Sequence, residues 1–118
     1  MAYEGPKIYR APYASDKAFS NFERTVLEGL SAEEVTQYSD RDFGSEPVRM
    51  WGTTVVGSWK KITPGDFLIF YSSGTYEHAA EVVDTERNEE LGDAVWPNYD
   101  GDPWDCVIYL KDPVSITV

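Results

Sequence analysis

Residues 48–59 read VRMWGTTVVGSW. The run from Val48 to Trp51 is strand-like, and Gly52, two threonines and Gly57 interrupt it before a second tryptophan, Trp59. A core strand would continue in Val and Ile. A plain turn has no use for indole rings. The flanking chain decides whether these two side chains fill a core or build a site.

Downstream, residues 57–61 read as a helical turn, and residues 63–66 (TPGD) carry Pro and Gly where a tight turn needs them. Residues 67–71 (FLIFY) are the most apolar run and predict a central strand, with a hairpin return over residues 77–83. Residues 88–95 predict a helix, residues 97–105 (PNYDGDPWD) a Pro/Gly/Asp loop carrying Trp104, and residues 106–110 (CVIYL) a second buried strand. Upstream, residues 7–11 (KIYRA) alternate as a short strand. Ser15 or Asp16 then opens a helix with Phe19, Phe22, Val26 and Leu30 on one face, and Gly29 marks its end. Ser31 and Glu34 form a capping box for a helix over residues 32–38, and residues 39–46 form a polar loop. The class expected is α+β: a mixed, strongly curved sheet or small barrel of five or six strands with helices packed outside.

The 118 residues make one domain (1–118) with enough chain to bury a core. The chain stops on alternating Val, Ile and Val, which reads as the N-terminal part of a longer protein. The balance of 21 acidic against 10 basic residues, a net charge of -11, reads as the hydrated acidic shell of a halophilic protein; an acidic face for a basic partner is the weaker reading, because the acids are scattered and not clustered in one run. It excludes a general nucleic-acid binder, but phosphates respond to local potential, and Arg41, Arg49, Lys60 and Lys61 gather around Trp51 and Trp59. One cysteine, Cys106, excludes an internal disulfide or a Cys-based zinc site and fits a reducing cytoplasm. No segment resembles a signal peptide or approaches membrane-spanning length.

Catalytic constellations are lacking. His78 is the lone histidine, there is no nucleophile elbow, and no Gly-rich loop precedes a helix to cradle phosphate. Asp100, Asp102 and Asp105 alternate in one loop but lack the closing Glu of an EF-hand. No cofactor or metal is expected, and the chain reads as a binding module and not an enzyme.

Four tryptophans, eight tyrosines and five phenylalanines are many for this length. Trp51 ends a strand, Trp96 ends a helix and Trp104 sits in a Pro/Asp loop; none has the flanks of a core position. Rings on separate loops cost solubility unless they face one another, and such a pocket suits a planar or cationic guest. The order Trp51, Pro-Gly-Asp turn, Phe-Tyr strand, Val-Trp helix end, Trp104 and IYL strand, over roughly residues 46–118, resembles the EVE-like and YTH-like families of the PUA-like superfamily. The nearest look is to the recognition domain of McrB-type modification-dependent restriction systems and their archaeal relatives.

That resemblance implies a small curved barrel taking a flipped, modified base into an aromatic cage. The base is N6-methyladenine or a 5-substituted cytosine, in DNA rather than RNA. By position, Trp51, Trp96 and Trp104 match the cage walls, with Thr53 at the base edge and Tyr71 completing the cage. Arg49, Lys60, Lys61 and Arg41 would meet the backbone, and a nuclease or NTPase domain would follow in the full-length protein. The acidic helix and the three loop aspartates depart from the basic surface such a reader would carry. Two other readings stay open: a protein-interaction or structural domain with these tryptophans buried apart, and a small hydrolase or RNA-modifying accessory around His78.

Overall fold

The computed structural model describes residues 7–12, 16–39, 47–53, 56–72, 75–96 and 104–116. Expectations for Arg41, Asp100, Asp102 and residues 117–118 lie outside these. In chain order the elements are β1 (Ile8–Pro12), α1 (Asp16–Phe22) running into a π-helical segment (Glu23–Glu28), α2 (Ala32–Thr36), β2 (Arg49–Thr53), α3 (Val56–Trp59), β3 (Phe67–Ser72), β4 (Thr75–Arg87), α4 (Glu89–Val95), β5 (Cys106–Leu110) and β6 (Val114–Ser115).

The six strands follow the path β1-β3-β4-β5-β2, with β6 also on β4. β1 and β3 are parallel, and every other pairing is antiparallel. β4 runs 13 residues, well beyond the expected hairpin return at both ends. Its first part pairs with β3 and its second with β5, and the register shifts between Val82 and Asp84. A bulge of this kind bends a strand and increases its twist. β4 therefore turns the sheet from one half of the domain to the other. The path ends on β1 and β2, which do not pair with each other among the described residues. Of the expected mixed, strongly curved sheet or small barrel, the described residues show the mixed sheet with helices outside, not closed along that seam.

Strand alternation sorts the core into two clusters. From β2 and β5, Trp51, Ile108 and Leu110 join Phe22, Val26, Leu68, Phe70 and Val82. Met50, Val107 and Tyr109 point the other way and join Leu30, Val35, Leu91, Val95 and Trp96. Both faces of β5 are covered, so all five of its residues are buried. Side chains of this size contribute about 1.5–3 kcal/mol each on full burial. α1 and the π-helical segment cover the first cluster through Phe22 and Val26, and α2 and α4 cover the second through Val35, Leu91 and Val95.

Local signals set the helix ends. Ser31 Oγ accepts from the Glu34 amide at 3.2 Å, and Asn88 Oδ1 accepts from the Leu91 amide at 3.0 Å. The first helix departs from its expected regular face. It widens into the π-helical segment and ends at Gly29 (φ 78°), where a Cβ would also strike Pro47. Phe22 and Val26 are fully buried, Phe19 is 41% exposed, and Leu30 leaves the helix to form a bridge with Val48. Carbonyls left at the end of the π-helical segment are taken up by Arg49, whose Nη1 donates to Val26 O and Leu27 O.

The TPGD turn is held by its aspartate. Asp66 is buried, and its carboxylate accepts from the Lys7 amide (2.9 Å), the Thr63 amide (2.9 Å) and Thr63 Oγ1 (3.1 Å), with the Lys7 ammonium at 3.2 Å. This one side chain ties the start of β1 to the turn before β3. Burial alone would raise its pKa, but the hydrogen bonds from Lys7 and Thr63 outweigh that and hold it at about 2, against an ordinary 3.8. The folded state thus favours the carboxylate. Its stabilisation is full above about pH 4 and is lost as pH falls through about 2. Asp66→Asn is expected to lower stability at pH 7 by about 1–3 kcal/mol. In thermal unfolding followed between pH 7 and pH 2, its deficit against the parent chain should shrink only below about pH 4.

Candidate functional site

The two end strands of the sheet path, β1 and β2, meet around a cavity of about 420 Å³. Its aromatic walls are Trp51 from β2, Trp59 from α3, Trp104 just before β5 and Tyr9 from β1; Leu68 and Ile108 supply apolar lining. Thr53 and Arg10 add polar groups.

Trp51 is only 5% exposed. Its ring meets Phe70 edge-on (5.4 Å between centroids, 89°), Phe22 (6.3 Å, 73°) and Trp104 (6.2 Å, 74°). Most of this indole is core, and one margin reaches the cavity. Trp59 is half-buried, and its Nε1 donates to Val107 O at 3.2 Å, which fixes the ring against β5. Tyr9 donates its hydroxyl to Lys61 O at 2.9 Å and so links β1 to the residues after α3. Three indoles therefore share one cavity, but they are not the expected three.

Trp96 is the departure. It is 1% exposed and belongs to the second cluster, on the opposite face of β2 from Trp51. A Cβ on Gly52 would lie 2.7 Å from Trp96 Cζ3, so the ring is pressed flat against the β2 backbone. It touches Trp104 at 6.2 Å and 34° but does not line the cavity. Its Nε1 is buried with no acceptor among the described residues, a cost of about 1–3 kcal/mol that the surrounding packing offsets. Trp96 acts as backing for the wall, and Trp59, expected only to pack α3 onto the sheet, takes its place.

The other expected site residues divide. Thr53 lines the cavity, while Tyr71 sits at the β3 irregularity against Tyr76 (5.6 Å, 51°), away from it. Arg49 is spent on structure: besides the two helix carbonyls, its Nε donates to Asp112 Oδ1 at 2.8 Å. Lys60 and Lys61 are exposed directly after Trp59. Arg10 was missed. Its signal was the alternation of β1, a segment with no partner motif in the sequence to attach it to the tryptophans.

His78 packs its ring 5.0 Å from Phe22. No group of three or more His, Cys, Asp or Glu could hold a metal ion among the described residues. Asp105 is buried beside Arg87 (Nε to Oδ2 3.0 Å); burial pushes its pKa up, yet the guanidinium holds it below the ordinary value. Burial raises the Cys106 thiol, which suits an inert core cysteine.

No protein-family model matches the sequence, and no curated protein matches it. Among solved structures, the N-terminal domain of Thermococcus gammatolerans McrB bound to m5C DNA has a TM-score of 0.73 at 16% identity, covering 93% of this chain and 76% of that chain. The two share a fold. This is the McrB-type architecture that the order of Trp51, the TPGD turn and the FLIFY strand implied.

Two glycines set the spacing behind the cavity. A Cβ on Gly92 of α4 would fall 2.2 Å from the Trp104 carbonyl oxygen, and one on Gly52 falls on the Trp96 ring. Alanine in a helix is ordinarily better than glycine by about 1 kcal/mol. Here the sign should reverse. In urea titrations Gly52→Ala is expected to cost about 1–3 kcal/mol and Gly92→Ala more, because its obstacle is backbone.

Proposed function

We propose that this domain binds DNA carrying a modified base, which leaves the duplex and inserts between the indoles of Trp51, Trp59 and Trp104. The observation that carries the reading is the convergence of these three rings on one cavity with Thr53 and Arg10. Its fold is shared with a domain whose solved complex contains m5C DNA, which supports the same class of ligand. Extruding a base costs a few kcal/mol in lost pairing and stacking. Stacking on aromatic side chains returns about 1–3 kcal/mol per base. A methyl group adds apolar area without asking for a hydrogen-bond partner, so an apolar floor of Leu68 and Ile108 favours the modified form.

The backbone contacts fall to Arg10, Lys60 and Lys61 rather than to Arg49. Arg10 lines the cavity, and Lys60 and Lys61 follow Trp59 on the surface. The remaining charge works against loose attachment to DNA: at -11 overall, the domain is repelled by phosphate except where these cations stand. Affinity then has to come from the inserted base. The domain itself does no chemistry in this reading. It is the specificity part of a modification-dependent restriction protein acting in the cytoplasm, with a nuclease or NTPase supplied elsewhere in the full-length protein. The competing structural reading fits Trp96, whose ring is core, and the larger part of the Trp51 ring.

Duplexes containing 5-methylcytosine, N6-methyladenine or no modification, titrated at low salt, test this directly. One modified duplex should bind at least about tenfold tighter than the unmodified one; equal binding, or none, rejects the proposal. Trp59→Ala and Trp104→Ala should each weaken that complex by roughly tenfold to hundredfold, the equivalent of 1–3 kcal/mol per stacked ring. Trp51→Ala should instead unfold the domain at lower denaturant, costing about 3–5 kcal/mol, because that ring is mostly core.

A further inference from the structure

We infer that the groove between α2 and α4 is a docking site for a basic, amphipathic segment of a partner protein. A second concavity of about 180 Å³ lies there, with Leu30, Val35, Tyr38 and Val95 as its apolar lining. Tyr38 is 39% exposed, so part of that apolar surface faces solvent. The groove rests on the second core cluster, on the other side of the β2–β5 pair from the indole cavity. A ligand in one does not obstruct the other.

Charge decides the occupant. α2 opens with Glu33 and Glu34, and α4 opens with Glu89 and Glu90 and continues with Asp93; neither helix contains a Lys or Arg. All five carboxylates are exposed, and none forms an ion pair among the described residues. Glu34 itself lines the groove. Among the described residues that line the groove the cation is Arg24, which donates to Val95 O and to Asn21 Oδ1 (3.1 Å), and Arg87, just before α4, is paired with Asp105 at 3.0 Å. Nucleic acid is repelled by flanking helices of this charge, and so is a second copy of a chain with a net charge of -11. A segment with one or two large apolar side chains for the groove and Lys or Arg for the rim is complementary to both features. An apolar anchor seated in a pocket with charges around it is the usual division between affinity and steering at interfaces.

The groove is also preformed. Asn88 caps α4 with its Oδ1 and donates its Nδ2 to Tyr38 O at 2.6 Å, joining the end of α2 to the start of α4. Little ordering remains for a ligand to impose.

The test is fluorescence anisotropy with the whole chain and three labelled probes: an amphipathic Leu/Lys peptide, its Leu/Glu counterpart, and a peptide of Lys and Ser without apolar residues. The Leu/Lys peptide should bind, the Leu/Glu peptide should not, and the Lys/Ser peptide should bind at least about tenfold more weakly. Glu34→Lys combined with Glu90→Lys should weaken the Leu/Lys complex by about tenfold or more, whereas Glu77→Lys, an exposed acid on β4, should leave it within about twofold. If charge reversal at the helix N-termini unfolds the chain, Glu34→Gln with Glu90→Gln gives the same comparison at smaller amplitude. Equal loss from Glu77→Lys would mean diffuse attraction and overturn the site. So would a Leu/Lys complex indifferent to the paired variant, no binding of that peptide, or an unmodified DNA duplex displacing it. Self-association that buries Tyr38, seen by sedimentation, would overturn it as well.

Discussion

The pairing of β2 with β5 is the constraint on which the rest of the molecule depends. Both strands present apolar side chains to both faces, so neither face can be left to water. One face takes α1 with its π-helical continuation, and the other takes α2 and α4. Because successive residues point oppositely, Trp51 and Gly52 serve different cores although they are neighbours in sequence. The missing side chain at Gly52 is what lets Trp96 lie against the strand. Gly92 similarly lets α4 approach the Trp104 backbone, which carries the ring facing Trp51. The cavity walls are therefore set through two points of backbone contact more than through the rings themselves.

Much of this was readable in the sequence where the signal is local. FLIFY and CVIYL became buried strands, TPGD became the turn before β3, and the caps at Ser31 and Asn88 mark the helices they open. The McrB-type fold followed from the order of several such pieces. What was not readable was set by distant partners. The length of β4 depends on a bulge that lets it serve two neighbours. Whether a tryptophan at a helix end faces a cavity or a core depends on what lies across from it. For Trp96 that was a glycine forty-odd residues earlier, and the expectation of an exposed ring failed there. Arg49 looked like a phosphate contact because its sequence neighbours are Trp51 and its strand. The end of a π-helical segment, invisible in the amino-acid pattern, claimed it instead.

The acidity also resolves into parts with different physical roles. Asp66 and Asp105 are buried and hold structure together through Lys7, Thr63 and Arg87. The acids of α2 and α4 are exposed, and Glu34 among them lines the groove between those helices, while Arg10 lines the indole cavity and Lys60 and Lys61 follow Trp59 on the surface. A net charge says little about such a molecule; the division of charge between its two sides says more about what can approach each.

The open seam between β1 and β2 has a mechanical consequence. A closed barrel resists widening with a ladder of backbone hydrogen bonds, all of which must stretch together. Here β1 and β2, on either side of the cavity, have no ladder between them among the described residues, and the Tyr9–Lys61 hydrogen bond ties β1 to the segment between α3 and β3. Widening that gap would break no strand pairing among the described residues, whereas widening the sheet anywhere along its path would break a ladder.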